Sequence, residues 1–495
     1  MILALDQGTT SSRTLLVDHD GRIVASAQQA VGQTYPAPGW VEQDPLALWR
    51  AQLDTARAVL AARPAAAAAV AAVGLANQRE TAVVWERATG APVAPAIVWQ
   101  DRRTAATCRA LADAGHEALV RRKTGLVLDP YFTATKLRWI LEHIPDGPRR
   151  ARRGELAGGT VDSWLAWNLT GGRLHVTDAT NASRTLLYDL NTGAWDDELL
   201  ELFGVPRELL PAVVDTSAVV GETDPRLFGV ALPIAALCGD QQAALFGHGC
   251  YGAGQAKLTY GTGCFLLTHT GAAPIASRHR LLTTVAARRG GRPTFALEGS
   301  AFVGGAAVGW LRDGLGVVSS SEQASELAGL VAAGEGGVFV PALAGLGAPH
   351  WDPAARGAFF GLTLGATPAH LARAVLEGIA FEVADLVAAT AADSGLEPVE
   401  LRVDGGASAS DALLQFQADI CGFEVVRAAE PECTALGAAA LAGLAVGFWR
   451  DDGELAAMHR AGRRFVPDVA IDRTALLERW QRSVAAVRQF AAADD

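Results

Sequence analysis

Two stretches of the chain share one plan. LDQGTTSSRTLLV (5–17) and LTYGTGCFLLT (258–268) each place a Gly-Thr-polar turn between two apolar arms. A repeat of that kind predicts two related domains with a cleft between them, which constrains the fold more than any other feature. A length of 495 residues is too much for one comfortable core and agrees with two domains. We place the boundary near residue 250, giving an N-terminal domain over 1–249 and a C-terminal domain over 250–495. The repeat is unequal in one respect. The first copy carries Asp6 and the second has Tyr260 near that place, so symmetric domains need not supply symmetric chemistry.

Around the first turn, residues 2–6 and 13–18 read as strands, and Ile23–Ala27 follows after the Asp20-Gly21 turn. This is an antiparallel meander. Pro45–Leu60 reads as an amphipathic helix and Val70–Ala76 as a further strand. Strands and helices go on alternating, so the class is α/β. The alanine-rich run from Pro64 to Leu75 is shorter than the ~20 residues of a membrane span and reads as helix leading into strand. No targeting peptide is expected, because Asp6 would fall inside any signal core. The net charge of -11 argues against nucleic acid, which calls for a Lys/Arg surplus, and lends no support to binding at an anionic membrane. Cys108, Cys238, Cys250, Cys264, Cys421 and Cys433 are scattered with no CxxC spacing. They predict buried reduced thiols in a cytoplasmic protein, not a zinc framework or disulfide scaffold.

Several stretches carry candidate chemistry. In the first hairpin, Gly8 lets backbone approach a phosphate, Thr9, Thr10 and Ser11 add donors, and Arg13 adds charge. Asp6 at the strand end could hold Mg²⁺ through water. The plainer reading is an ordinary turn with local roles for Asp, Gly and Thr. GDQQAALFG (239–247) follows the apolar strand LPIAALC and puts Asp240 where it could cap a helix or act as a general base toward a substrate hydroxyl. Gln241 beside it can donate and accept toward a polyol. In NQRETAVVWE (77–86), Arg79 and Glu80 read as a solvated pair or, in a polar pocket, as ligands that suit a neutral polyol. Tyr131 precedes a helix in DPYFTATKLRWIL, and Tyr131, Trp139 and Trp99 all have core packing as their ordinary explanation. VDGGASAS (403–410) is a strand–glycine–helix junction that could lie against a base or its α-phosphate. GxxxxGK[ST] is absent, which excludes a P-loop, and so are the HRD and DFG elements of protein kinases.

Taken in order, LDQGTTSSR, NQRET, IVWQDRR, DPYFTATKLRWIL, GDQQAALFGHG, YGTGCF, FGLTLGATPAHLARAVLEG, VDGGA and TALGAAALAGLAVGFW resemble the FGGY carbohydrate kinases of the actin-like ATPase superfamily, almost end to end. GDQQAALFG with NQRET resembles the glycerol-acting branch. The resemblance implies two ribonuclease-H-like domains around an ATP cleft. It further implies ATP with Mg²⁺, glycerol as phosphoryl acceptor, sn-glycerol 3-phosphate as product, and a place at the first step of glycerol catabolism. Arg79, Glu80, Tyr131, Asp240 and Gln241 match the family's glycerol contacts, and Trp99 an aromatic against the glycerol carbons. Asp240 matches the catalytic base. Thr9, Thr10, Ser11 and Arg13 match the phosphate hairpin, and Asp6 with Asp240 the metal position. Thr262, Gly305 and Gly406 match nucleotide contacts. Ser410 stands where many members have Asn, and Gly309 where they have Gln; both positions are assigned to the nucleotide. A homodimer or homotetramer is expected from the same resemblance.

Two other functions are distinguishable. A kinase for a longer sugar, such as xylulose or gluconate, is disfavoured by Arg79-Glu80 with Tyr131. An ATP-binding switch of the actin or heat-shock-chaperone type would lack a polyol pocket and hydrolyse ATP indifferently to glycerol. The segment GETDPRLFGVALPI (221–234) lacks the GGTR stretch that resembles a fructose-1,6-bisphosphate site in some members, and no histidine lies between His175 and His248 for the phosphorylation others undergo. We therefore predict an unchanged rate on adding fructose-1,6-bisphosphate, measured as ADP release; strong inhibition would refute this.

Overall fold

The computed structural model describes residues 1–492. Its N-terminal sheet has six strands in the order Ser217–Glu222, Pro233–Gly239, Ala72–Asn77, Ile2–Gln7, Ser11–Val17, Ile23–Ala30. The meander expected from the sequence forms the last three, with Asp6 opposite Arg13 and Gln7 opposite Ser12. Ile2–Gln7 runs parallel to Ala72–Asn77, which runs parallel to Pro233–Gly239. Buried on both faces, these central strands read as nearly continuous apolar runs, as parallel strands under helices do.

The C-terminal sheet repeats the plan. Its order is Leu282–Arg289, Arg292–Ala301, Cys264–Gly271, Ala256–Tyr260, Glu400–Asp404, Glu424–Ala428, Ala461–Phe465. Here too a meander leads into parallel partners, Ala256–Tyr260 beside Glu400–Asp404 and then Glu424–Ala428. The repeat read from two hairpins therefore extends over both sheets. The non-equivalence at Tyr260 is structural: its ring is buried and its hydroxyl donates to Gln417 Oε1 at 2.6 Å.

The helix Cys433–Ala445, late in the chain, packs on the N-terminal strands Ile2–Gln7, Ala72–Asn77 and Pro233–Gly239 and on the helix Asp240–Gly247. Glycines allow the approach. A Cβ at Gly437 would lie 1.8 Å from the Ala243 carbonyl oxygen, and one at Gly247 would lie 1.9 Å from that of Cys433. The two halves thus share a core in which Ala4, Ala76, Ala243, Ala435 and Leu441 meet. All six cysteines are free and buried, as the sequence predicts. Among the described residues, no helix is long and apolar enough to cross a membrane.

Candidate active site

The parallel register brings three strand ends together. Asp6 and Gln7 lie beside Ala76 and Asn77, and Asn77 lies beside Gly239, so the segments leaving these strands open on one crevice. That is where ligands bind in open α/β sheets. Gln78 N–H still donates to Gln7 C=O at 2.7 Å, and the chain then turns sharply as Thr81 N–H donates to Arg79 C=O at 2.7 Å. Glu80 takes φ = 59° there. A non-glycine residue in that region is strained by about 1–3 kcal/mol and persists only where its surroundings hold it. Two groups do so: Thr133 Oγ1 and Lys136 Nζ donate to the Glu80 carbonyl at 3.2 and 3.1 Å, and Lys136 also reaches the Tyr131 carbonyl at 2.6 Å. Gly239 is the close approach on the other side, since a Cβ there would lie 2.7 Å from Arg79 Cδ.

Arg79 and Glu80 are buried, so the solvated pair is excluded. They belong to a four-residue ion network that spans both halves of the chain. Arg79 grips Glu298 through two donors at 2.6 and 3.1 Å. Arg184 donates to Glu80 Oε1 at 2.5 Å and to Glu298 Oε1 at 3.0 Å. Burial pushes the Glu298 carboxyl up, but the guanidiniums of Arg184 and Arg79 outweigh it and hold it at about 2. At Glu80 burial wins over the same two guanidiniums and the carboxyl is raised. Sequence reasoning missed Arg184, Glu298, Lys136 and Lys257. Glu298 and Lys257 are lone charges beside apolar residues, and that was the available signal, because such residues are almost never buried unless paired; Lys136 and Arg184, among polar neighbours, gave none.

Asp240 is the first residue of its helix, and the cap position belongs to Gly239. Its carboxylate is used on one side only. Oδ1 accepts from the Gln241 N–H at 2.7 Å and lies 3.3 Å from Arg79 Nε. Oδ2 has no hydrogen-bond partner among the described residues, and 27% of the side chain is exposed. Burial raises the carboxyl, against the pull of Arg79. Gln241 accepts a hydrogen bond from the buried Lys257, which also donates to Thr259 Oγ1 at 3.0 Å. Burial depresses the Lys257 ammonium, opposed by Asp404 and Asp240. Trp99 and Tyr131 meet edge to face with centroids 5.6 Å apart, and Trp99 Nε1 donates to Thr9 Oγ1 at 2.9 Å. Through Trp99 the aromatic pair therefore touches the first hairpin.

In that hairpin, Gly8 N–H donates to Ser11 C=O at 2.9 Å and closes the turn. Thr9 takes the Trp99 donor, Ser11 Oγ takes Gln28 at 3.0 Å, and Thr10 is exposed. Arg13 is not a free phosphate donor: it pairs with Glu432 and donates to Gln28 Oε1 at 2.7 Å. Asp6 is pushed up to about 7 by burial and then by the charge of Asp240. Two carboxylates that repel across a crevice, with hydroxyls beside them, form the donor set Mg²⁺ favours, so these residues fit the ion.

Across the cleft, a cavity of about 490 Å³ is lined by Thr262, Gly305, Gly406 and Ser410. Gly309 lies one residue past the lining Val308, and a Cβ there would meet nothing within 4 Å. Ser410 caps the helix Asp411–Cys421, accepting from Leu413 N–H at 3.2 Å, and shares a 2.7 Å hydrogen bond with Ser325. Gly405 has φ = 86°, and a Cβ would lie 2.4 Å from the Tyr260 carbonyl oxygen, so only glycine lets this junction pass the second hairpin.

Residues 1–247 match the N-terminal domain, and 256–446 the C-terminal domain, of the FGGY family of carbohydrate kinases. The chain is 56% identical to a glycerol kinase of Dechloromonas aromatica over 98% of this chain and 96% of that protein. It is also 56% identical to one of Aromatoleum aromaticum, over 99% of each. The crystal structure of Plasmodium falciparum glycerol kinase with ADP superposes with a TM-score of 0.93 at 32% identity, covering 98% of each chain.

Proposed function

The chain belongs to the FGGY family of carbohydrate kinases, and on that premise we propose that it transfers the γ-phosphoryl group of ATP to a terminal hydroxyl of glycerol, giving ADP and sn-glycerol 3-phosphate. The observation that carries this reading is Asp240. One carboxylate oxygen is fixed by Gln241 and Arg79, and the other is unpartnered on a side chain that remains partly exposed. That is the geometry of a general base. Phosphoryl transfer has a loose transition state, so the base mainly orients the hydroxyl and takes its proton as the bond forms. Arg79, Glu80 and Gln241 hold the polyol hydroxyls, while Trp99 and Tyr131 cover its carbons. The ion network and Lys136 keep Glu80 in its strained conformation and so fix the polyol's orientation. Thr9, Thr10 and Ser11 receive the terminal phosphates. Arg13 joins them by exchanging Glu432 for phosphate. The cavity at Thr262, Gly305, Gly406 and Ser410 takes the rest of the nucleotide, with Gly309 at its edge. Closure of the halves excludes water and so limits ATP hydrolysis.

Asp6 and Asp240 would hold Mg²⁺, which supplies neutralisation of phosphate charge. A protonated Asp6 cannot serve. We therefore expect apparent Mg²⁺ affinity, measured from the metal dependence of turnover, to strengthen as pH rises through about 7. In Asp6→Asn that pH dependence should vanish; its persistence would remove Asp6 from the site. The same reading takes a homodimer or homotetramer in the cytoplasm, with a domain division at 249/250.

The test is ADP release from Mg-ATP with glycerol, dihydroxyacetone, erythritol, xylulose or gluconate. Large stimulation by glycerol alone is expected. Stimulation by a longer sugar would keep the mechanism and move the substrate. No stimulation by any would turn the reading toward an ATP-dependent switch.

A further inference from the structure

Three of the elements that build the cleft also meet beside it. His248 ends the helix that begins at Asp240, Asp404 ends the strand that leads into Gly405-Gly406, and Cys433 begins the helix that follows Glu432. One imidazole nitrogen, one carboxylate oxygen and the Cys433 Sγ lie within 4.8 Å of one another. His248, Asp404 and Cys433 are 1%, 5% and 3% exposed. His248 Nε2 is 3.0 Å from Asp404 Oδ2, yet the pair lacks hydrogen-bond geometry. His248 Nδ1 and Asp404 Oδ1 are buried with no hydrogen-bond partner among the described residues, and His248 Nε2 has only the Asp404 carboxylate. Native cores rarely leave such atoms unsatisfied, and each demands a partner. The thiol's present acceptor is the Glu430 carbonyl at 3.2 Å.

We propose that His248, Asp404 and Cys433 form a binding site for a zinc-class divalent cation, one that ties the two halves of the chain together and slows turnover when filled. Imidazole, carboxylate and thiolate are a zinc-type donor set, and the thiolate is unsuited to Mg²⁺. Tetrahedral bonds of about 2.0–2.3 Å put ligand atoms about 3.3–3.8 Å apart, so small side-chain shifts from the observed spacing suffice. Water fills the fourth position. Binding removes the Cys433 proton to solvent, one per ion, as the sulfur–metal bond forms. Lys257, whose charge acts on Asp404 and Cys433 while its ammonium donates to Gln241 and Thr259, is the competing cation. A surface cleft of about 320 Å³, lined by Gly247, Cys433 and His459 among others, gives an entry path. Binding stands on geometry alone; the slowing rests on the kinase reading, because the linked elements carry Asp240, Gly406 and the Glu432 partner of Arg13.

Co²⁺ reports the site. Added to the metal-stripped full-length protein, it should bind at one per chain with a thiolate-to-cobalt charge-transfer band that Zn²⁺ abolishes. Cys433→Ser should lose the band, and His248→Gln should lose it or bind far more weakly, both with unchanged circular dichroism. No band in the wild type, or a band that survives in Cys433→Ser, overturns the site and leaves an adventitious ion only. Zn²⁺ should then suppress glycerol-dependent ADP release in the wild type and spare Cys433→Ser. Equal inhibition of both, or of neither, while the band behaves as expected, overturns the coupling and leaves the metal site standing.

Discussion

Asp240→Asn should lose phosphoryl transfer almost entirely, with kcat down by about 10²–10⁴, the range a positioned general base supplies. Nucleotide binding should survive, because the cavity at Thr262, Gly305, Gly406 and Ser410 lies across the cleft. The amide keeps the shape of the carboxylate. Its oxygen can still accept from the Gln241 N–H and face Arg79. What disappears is the second oxygen's ability to take a proton. The discriminating measurement is single-turnover transfer at saturating glycerol and ATP, beside ADP binding by calorimetry. A variant that turns over normally would remove Asp240 from the chemistry. One that loses ADP binding as well would show that the substitution disturbed the cleft as a whole. The loss should fall on kcat and not on the KM for glycerol, since the proposed polyol ligands Arg79, Glu80 and Gln241 are left in place.

How much of this was visible in the chain depended on whether the determining contacts were local. The meander, the strands at Val70–Ala76 and LPIAALC, and the positions of Asp6 and Asp240 follow from short apolar runs ending on a polar residue, and the structure has them; their parallel pairing appears only in the fold. The cap at Gly239 rather than Asp240 is a one-residue matter of backbone geometry that residue preference alone does not resolve. Arg13 reads as a phosphate ligand because of its neighbours in the hairpin; its ion pair with Glu432 is invisible until the late helix packs on the N-terminal sheet. The same holds for Glu298, which sits on a strand of the second sheet and meets Arg79 and Arg184 only in the folded chain. In FALEGSAF it is one acid in an apolar strand. That isolation announces a partner without naming it.

Glu298 is therefore where the fold and the site should fail together. Its side chain is wholly buried and is shared by Arg79 and Arg184. Glu298→Gln removes one negative charge and leaves two guanidiniums facing Glu80 and Asp240 alone. Breaking a buried ion pair from one side destabilises by about 3–5 kcal/mol, because the surviving charge is left desolvated and unmatched. We expect a clear fall in Tm and, in the folded fraction, a lower kcat, since Arg79 released from Glu298 swings fully onto Asp240 and weakens it as a base. The pH dependence has a definite sign. The folded Glu298 carboxyl sits at about 2 against 4.5 for the free group, so its contribution is complete above 4.5 and fades as pH falls toward 2. The stability gap between wild type and variant should be constant near neutrality and narrow on the acid side. Adding Arg184→Met to Glu298→Gln should restore part of the loss, because Arg79 then balances Glu80 and Asp240 in a smaller network. Losses that simply add would mean that the four side chains act independently, and the network would not be what holds the two halves in register.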